Sequence, residues 1–195
     1  MRRFLAGCSL ILLLAACQPV LRADVTRFYS LPPPPTGQSF AIAPDAGQSG
    51  DLEFQRYALL MSNALQSKGF VLAAPQGAAA DLVAVLHYGN IGSHTEIYSE
   101  PAPAWGRPGG WGWRGYPPEI NSYTVYSLFV DLALFDGPAW RAGERRMLFQ
   151  ARALGDSGVR DVNSAMPSLV RALLSDFPGA NGLTVRVSVP LDETP

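Results

Sequence analysis

The chain has 195 residues, of which 48% are hydrophobic and 16% charged, with 15 Lys and Arg against 16 Asp and Glu. That length is enough for one domain with a real core. The near balance of charge excludes a basic nucleic-acid-binding surface.

The first sixteen residues read as a signal peptide. Arg2 and Arg3 are followed by the apolar run Phe4 to Ala16, too short to span a bilayer as a helix, which needs about 20 apolar residues. A positive start and a short apolar stretch are what export and cleavage require. Leu14-Ala15-Ala16-Cys17 resembles the lipobox of bacterial lipoproteins: a thiol to take the diacylglycerol, preceded by small residues that fit a peptidase pocket. Leu5-Ala6-Gly7-Cys8 fits the same pattern. Cutting there leaves almost no apolar stretch, whereas targeting needs about 7–15 such residues, so Cys17 is the expected lipidation site. An uncleaved anchor or a non-lipidated signal is the plain alternative. Lipidation of Cys17 uses the one cysteine left after cleavage, which excludes a disulfide, thiol catalysis and cysteine metal sites. Loss of Arg2 and Arg3 moves the net charge to about −3. Gln18 follows the cysteine. In bacterial lipoprotein sorting an Asp there retains the protein on the inner membrane, so the expected location is the outer membrane, periplasmic side.

Residues 17–24 form a lipidated tether, and 25–191 are expected to form a single α+β domain. Val25 to Leu31 is β-branched and aromatic, a first strand. Pro32 to Pro35 ends it, since proline cannot donate to a sheet ladder. The proline run reads as a stiff spacer rather than a recognition motif. Ser39 to Pro44 suggests a second strand. From Asp51 to Lys68, the apolar residues Phe54, Tyr57, Ala58, Met61, Ala64 and Leu65 recur at helical spacing. Asp51 suits the N-cap and Gly69 the C′ position. Phe70 to Ala73 and Leu82 to Tyr88 read as strands. Tyr123 to Phe135 is a long strand with Tyr126, Leu128, Val130, Leu132 and Leu134 on one face. Its other face, with Ser127 and Asp131, is partly polar, the habit of an antiparallel sheet covered on one side. Asp131 is expected to meet an arginine. Gly137-Pro138 breaks the strand, and Arg145 to Ala153 pairs back as a hairpin. A second helix spans about Ser164 to Phe177, with Met166, Leu169, Val170, Leu173 and Leu174 as its stripe and Pro167 in its first turn. Pro178-Gly179 stops it, and Leu183 to Val189 is the last strand. These elements predict a two-layer α+β sandwich: a mostly antiparallel sheet of about six strands with two helices on one face.

This order resembles the bacterial lipoprotein family catalogued as domain of unknown function 4136. The matching pieces are Val25-Thr26-Arg27-Phe28, Leu65 to Phe70, Ala80 to Val85, Asp131 to Asp136, Trp140-Arg141, and Leu169 to Leu174 closing on Phe177-Pro178-Gly179. The resemblance covers most of 25–190. The chain departs from it at Ala142 to Arg145, where a looser hairpin is expected. The family has no established activity, so the resemblance implies no catalytic residue.

Between the long strands, at about 99–120, lies a Gly/Pro/Trp-rich loop. It holds three of the four tryptophans, and a loop of that length is usually functional or disordered. Trp105, Arg107, Trp111, Trp113, Arg114 and Tyr116 are the candidate partner-binding residues, since Trp, Tyr and Arg favour interfaces. Against this stands a plain hairpin tip. Gly155-Asp156-Ser157-Gly158 matches a serine-protease tetrapeptide, but triads are recognised by geometry, and a polar turn after a strand is the expected reading. His87, His94 and Glu96 carry metal-ligand atoms, yet ordinary sheet-surface residues are the simpler reading. No paired carboxylates and no phosphate-cradling loop are visible. The expected function is therefore a non-enzymatic envelope lipoprotein that binds or scaffolds an envelope protein or glycan, with no cofactor and no metal. The alternatives are an envelope hydrolase using Ser157 or the histidines, and a small-ligand carrier with a deep apolar pocket.

Overall fold

The computed structural model describes residues 20–30, 37–45, 51–73, 79–100 and 119–191. In chain order the elements are β1 (Val20–Tyr29), β2 (Ser39–Pro44), α1 (Leu52–Ser67), β3 (Val71–Leu72), β4 (Leu82–Glu100), β5 (Glu119–Asp136), α2 (Gly137–Arg141), β6 (Met147–Ser157), α3 (Val162–Leu174) and β7 (Thr184–Pro190).

The two long helices form where the apolar spacing places them, and local chemistry sets their ends. Asp51 accepts a hydrogen bond from the Glu53 amide at the start of α1 (2.8 Å). After Lys68 the chain turns through Gly69 at φ +94°, a conformation that costs a side-chain-bearing residue energy and costs glycine little. Phe70 then folds back and meets Phe40 and Phe177 edge-on, at 6.2 and 5.6 Å between ring centres. Asp161 caps α3 at the Asn163 amide (3.0 Å). That cap starts α3 at Val162, earlier than expected, and leaves Pro167 inside the helix rather than in its first turn.

The sheet corrects the expected architecture. It has seven strands in the order β3-β2-β4-β5-β6-β1-β7, and it is mixed, not antiparallel. Strand β2 runs parallel to both β3 and β4, while the remaining pairs are antiparallel. The reason is the connection. Strand β2 leads into α1, and the chain returns to the sheet first at β3 and then at β4; a strand–helix–strand crossover brings the returning strand back parallel. There are three helices among the described residues, not two. Gly137-Pro138 does more than break β5: Asp136 accepts from the Ala139 amide (2.8 Å) and proline suits a first helical turn, so a one-turn helix forms.

One face of the sheet packs under α1 and α3 in a single core that includes Leu21, Val25, Phe40, Leu86, Leu128, Leu132, Phe149, Met61, Leu65, Met166 and Leu173. The inward stripe of β5 is the one expected from alternation. Strand β1 starts at Val20, before the expected Val25, and alternates inward from Leu21.

Candidate functional site

Three features could carry function: the open face of the sheet, the joints where the family-like motifs meet, and the ends of β4 and β5.

The open face is a polar ladder on an aromatic floor. Arg152 grips Asp131 with two parallel bonds, Nε to Oδ1 at 2.7 Å and Nη2 to Oδ2 at 2.6 Å, the arginine partner expected for Asp131. This bond holds the Arg152 guanidinium above its ordinary pKa. His87 lies across the strand pair with Nδ1 3.6 Å from Asp131. The Phe129 ring lies between the His87 ring (5.1 Å) and the Arg152 guanidinium (5.4 Å). Gly89 opposite it leaves room, since a Cβ there would stand 3.1 Å from the ring. Further along, Asp24 and Arg186 form a second two-bond pair, whose hydrogen bonding lowers the pKa of Asp24. Such cross-strand pairs favour the sheet and leave the face solvated.

The motifs that carry the family resemblance act as joints. Arg27, from Val25-Thr26-Arg27-Phe28, is 1% exposed. It donates to the last carbonyls of α3, Ala172 O (3.3 Å) and Leu173 O (3.0 and 3.2 Å). A cation at a helix C-terminus meets the negative end of the helix dipole. Burial lowers the Arg27 pKa, and the charge of Asp176 opposes that shift. Gly179, from Phe177-Pro178-Gly179, passes beside this guanidinium at φ +75°, where a Cβ would lie 2.8 Å from Nη1. Beyond the end of β5, Gly137 donates to Asp81 O (2.7 Å), and a Cβ on it would fall 2.0 Å from Ala80 O. Asp81 accepts from the hydroxyl and amide of Ser39, and Asp136 accepts from the Ala139 amide and from Arg146. Those bonds lower both carboxyl pKa values.

The distal parts of β4 and β5 make an arm. Strand β2 pairs with β4 only as far as Leu86, and β6 pairs with β5 only from Tyr126. A bulge lies at Asn90/Gly92, and from His94 opposite Val125 out to Glu100 opposite Glu119, β4 and β5 pair with each other alone among the described residues. Bulges bend and twist a strand pair, and Gly92 sits at φ +148° there. Of the loop expected at about 99–120, Ser99, Glu100, Glu119 and Ile120 belong to these strands, and residues 101–118 lie outside the described residues. One ribbon face carries Ile97 and Ile120, and the other carries His94, Glu96, Tyr98 and Tyr123. Tyr98 and Tyr123 meet edge-on at 6.0 Å, and the Tyr123 hydroxyl donates to Glu96. That bond, more than burial, raises the Tyr123 pKa.

Cys17 lies outside the described residues, as do Trp105, Arg107, Trp111, Trp113, Arg114 and Tyr116. The tetrapeptide Gly155 to Gly158 is not a polar turn after a strand: Gly155 to Ser157 are the end of β6, because they pair with Tyr126 to Leu128. Ser157 pairs with Tyr126 and His87 with Asp131, an odd offset along β5, which puts them on opposite faces. The Ser157 hydroxyl instead accepts from the Val159 amide at 3.1 Å. His87 and His94 are separated by about 20 Å of strand; His94 lies 3.7 Å from Glu96. Among the described residues no three His, Cys, Asp or Glu side chains gather as metal ligands. Two depressions border the helices. One of about 140 Å³ is lined by Ala64, Lys68 and Leu174. The other, about 490 Å³, is lined by Glu53, Arg56, Tyr57 and Asp161. Burial and the Glu53 bond push the Tyr57 hydroxyl far above its usual pKa, and burial pushes Tyr88 up to about 12. Both depressions lie at helix surfaces, whereas a carrier needs its cavity between helices and sheet. The joints at Arg27 and Gly137 were missed as such in the sequence. The signal available was an arginine at an inward position of a strand.

Among solved structures the chain is similar to a PDZ domain protein from Parabacteroides distasonis ATCC 8503, with TM-score 0.46 and 11% identity over 95% of this chain and 42% of that one. The chain thus spans less than half the length of that protein. It is also similar to PelC dodecamers from Paraburkholderia phytofirmans, with TM-scores 0.44 and 0.38 and 13% identity over 78% of this chain and 95% of that one. No curated relative matches the sequence. The family described as "Domain of unknown function (DUF4136)" matches residues 26–179, most of the chain and all of the joints named above, and the protein belongs to that family.

Proposed function

We propose that the protein is a cell-envelope lipoprotein, anchored through lipid on Cys17 to the periplasmic side of the outer membrane, and that it works as a non-enzymatic binding or scaffolding module. The observation that carries this reading is the arm. A two-stranded ribbon is marginally stable alone in water, yet this one extends past every other strand and presents Ile97, Ile120, Tyr98 and Tyr123 to its surroundings. A fold whose family-like residues form joints, and which holds out a ribbon, suits holding a partner. The segment 101–118 with Trp105, Arg107, Trp111, Trp113, Arg114 and Tyr116 is the proposed contact with an envelope protein or glycan.

Two measurements test the reading. Crosslinked pull-down from the outer membrane, with and without residues 101–118, is expected to lose specific partners on deletion; an unchanged set overturns the contact. Substitution Cys17→Ser is expected to abolish lipid labelling and release the protein from the membrane. Continued labelling overturns the choice of cysteine.

A further inference from the structure

The register places the start of the domain and the arm at the same end of the sheet. Ala23 of β1 lies opposite Gly155 of β6, and Gly155 lies opposite Leu128 of β5. Val20 therefore sits beside the point where β5 leaves the sheet for the arm, about 10 Å away across two strand spacings. From Val20 back to Cys17 the chain spans at most about 11 Å. From His94 to Glu100, the part without β6 beside it, the ribbon is about 20 Å long at ~3.4 Å per residue. The arm is thus longer than the tether and leaves from the same edge of the molecule. A bilayer holding the lipid on Cys17 lies too close to Val20 for the arm to stand free above it.

The arm's chemistry limits where on the bilayer it can rest. Its two strands have open outer edges, with backbone groups unpaired by any other strand among the described residues. The hydrocarbon core does not tolerate such edges. The headgroup layer does, because water reaches it, and it favours side chains that pair an apolar body with a polar tip. Ile97 and Ile120 are diagonal neighbours on one face, close enough to form one apolar patch. Both are 71% exposed. Ser93, Thr95, Ser99, Ser122 and Thr124 surround them on that face, so the patch has a neutral polar rim. Tyr98 and Tyr123 flank the other side.

The geometry points to the arm as a second membrane contact: it lies in the phospholipid headgroup layer of the membrane that holds Cys17, with the Ile97/Ile120 face towards the acyl chains. This rests on the lipid-anchor reading above. The contact fixes the orientation of the domain, which a tether of two residues and a lipid alone leaves free to swivel.

The test uses the full lipidated chain in phosphatidylethanolamine–phosphatidylglycerol vesicles. An environment-sensitive fluorophore is attached at Ser122→Cys on the arm, or at the exposed Glu144→Cys at the opposite end of the sheet. Far-ultraviolet circular dichroism checks that each labelled chain is folded. The expected result is blue-shifted emission at position 122, quenched by lipids carrying a nitroxide near the headgroup and less by one at the chain terminus, with neither effect at position 144. Aqueous emission and no quenching at 122, on protein whose mass shows the lipid on Cys17, overturns the arm contact while leaving the anchor standing. A mass without lipid on Cys17 overturns the anchor and the arm contact with it. A blue shift at 122 that grows with protein concentration in the absence of vesicles assigns the arm to a second copy of the chain and overturns the membrane contact.

Discussion

Strands β4 and β5 pass through two different settings. Over the sheet their inward residues Leu86, Leu128, Leu132 and Leu134 are fully buried beneath the helices. Along the arm, Ile97 and Ile120 on the same face are mostly exposed. The alternation of side chains is the same in both. What differs is company: β2 accompanies β4 only as far as Leu86, β6 accompanies β5 only from Tyr126, and the core under the helices takes in no residue of β4 beyond Tyr88 or of β5 before Tyr126. Burial in this protein follows from which strands have neighbours, and the same kind of residue is core in one half of a strand and surface in the other.

The sharpest way to break that comparison is to cut the same kind of side chain in both halves. Leu132→Ala is expected to cost about 3–5 kcal/mol, the transfer loss plus a cavity. Ile120→Ala, on the same strand and face, is expected to cost less than about 0.5 kcal/mol. Urea unfolding of each variant measures both, and equal losses would mean that the arm packs against something in the free protein. Next in size is the joint at Arg27. Arg27→Met removes the guanidinium donors from both carbonyls; Ala172 O keeps the amide and hydroxyl of Ser175, so Leu173 O is the one left without its donor, which should lower stability by about 1–3 kcal/mol. The arm should be unaffected, so a fluorophore at position 122 should report unchanged surroundings while the melting temperature falls. The smallest effect is the response to acid. The carboxyls of Asp24, Asp81 and Asp136 are held below the ordinary value of 3.8. The unfolded chain therefore binds their protons more readily than the folded one. Their contribution is fully present above that value and is lost as pH falls through the depressed folded values. All three lie in the sheet or at its joints, so thermal unfolding between pH 5 and pH 2.5 should show falling stability, with Asp81→Asn and Asp136→Asn each flattening the fall. An unflattened curve would place the acid response elsewhere.

Much of the helical layer was legible in the sequence, because helix signals are local. The spacing of Phe54, Tyr57, Met61 and Leu65, the cap at Asp51, and Gly69 each act within a turn or two; the cap at Asp161 is equally local but was not read. The inward stripe of β5 was legible for the same reason. Strand partners were not. The parallel pairing of β2 with β4 joins residues about forty apart, and nothing within Ser39–Pro44 states which way its neighbour runs, although the helix that follows it was a clue. The end of β6 was read as a turn because Gly155-Asp156-Ser157-Gly158 has turn composition; pairing with Tyr126 to Leu128 overrides that preference. The arm was hidden because Gly89, Gly92 and Asn90 interrupt the apolar alternation just where the strand continues.

By itself the sequence raised an expected address, through the charged start, the apolar stretch and the cysteine. It also determined the family, the two long helices with the caps of the first, and the alternating core strand, because each of these is written in residues near one another. Only the tertiary structure decided that the sheet is mixed and seven-stranded, that Arg27 and Gly137 are joints, and that the arm and Val20 share one end of the molecule. Those facts depend on hydrogen bonds between residues distant in sequence. A two-residue period tells each strand which side to bury, but not which strand to bury it beside.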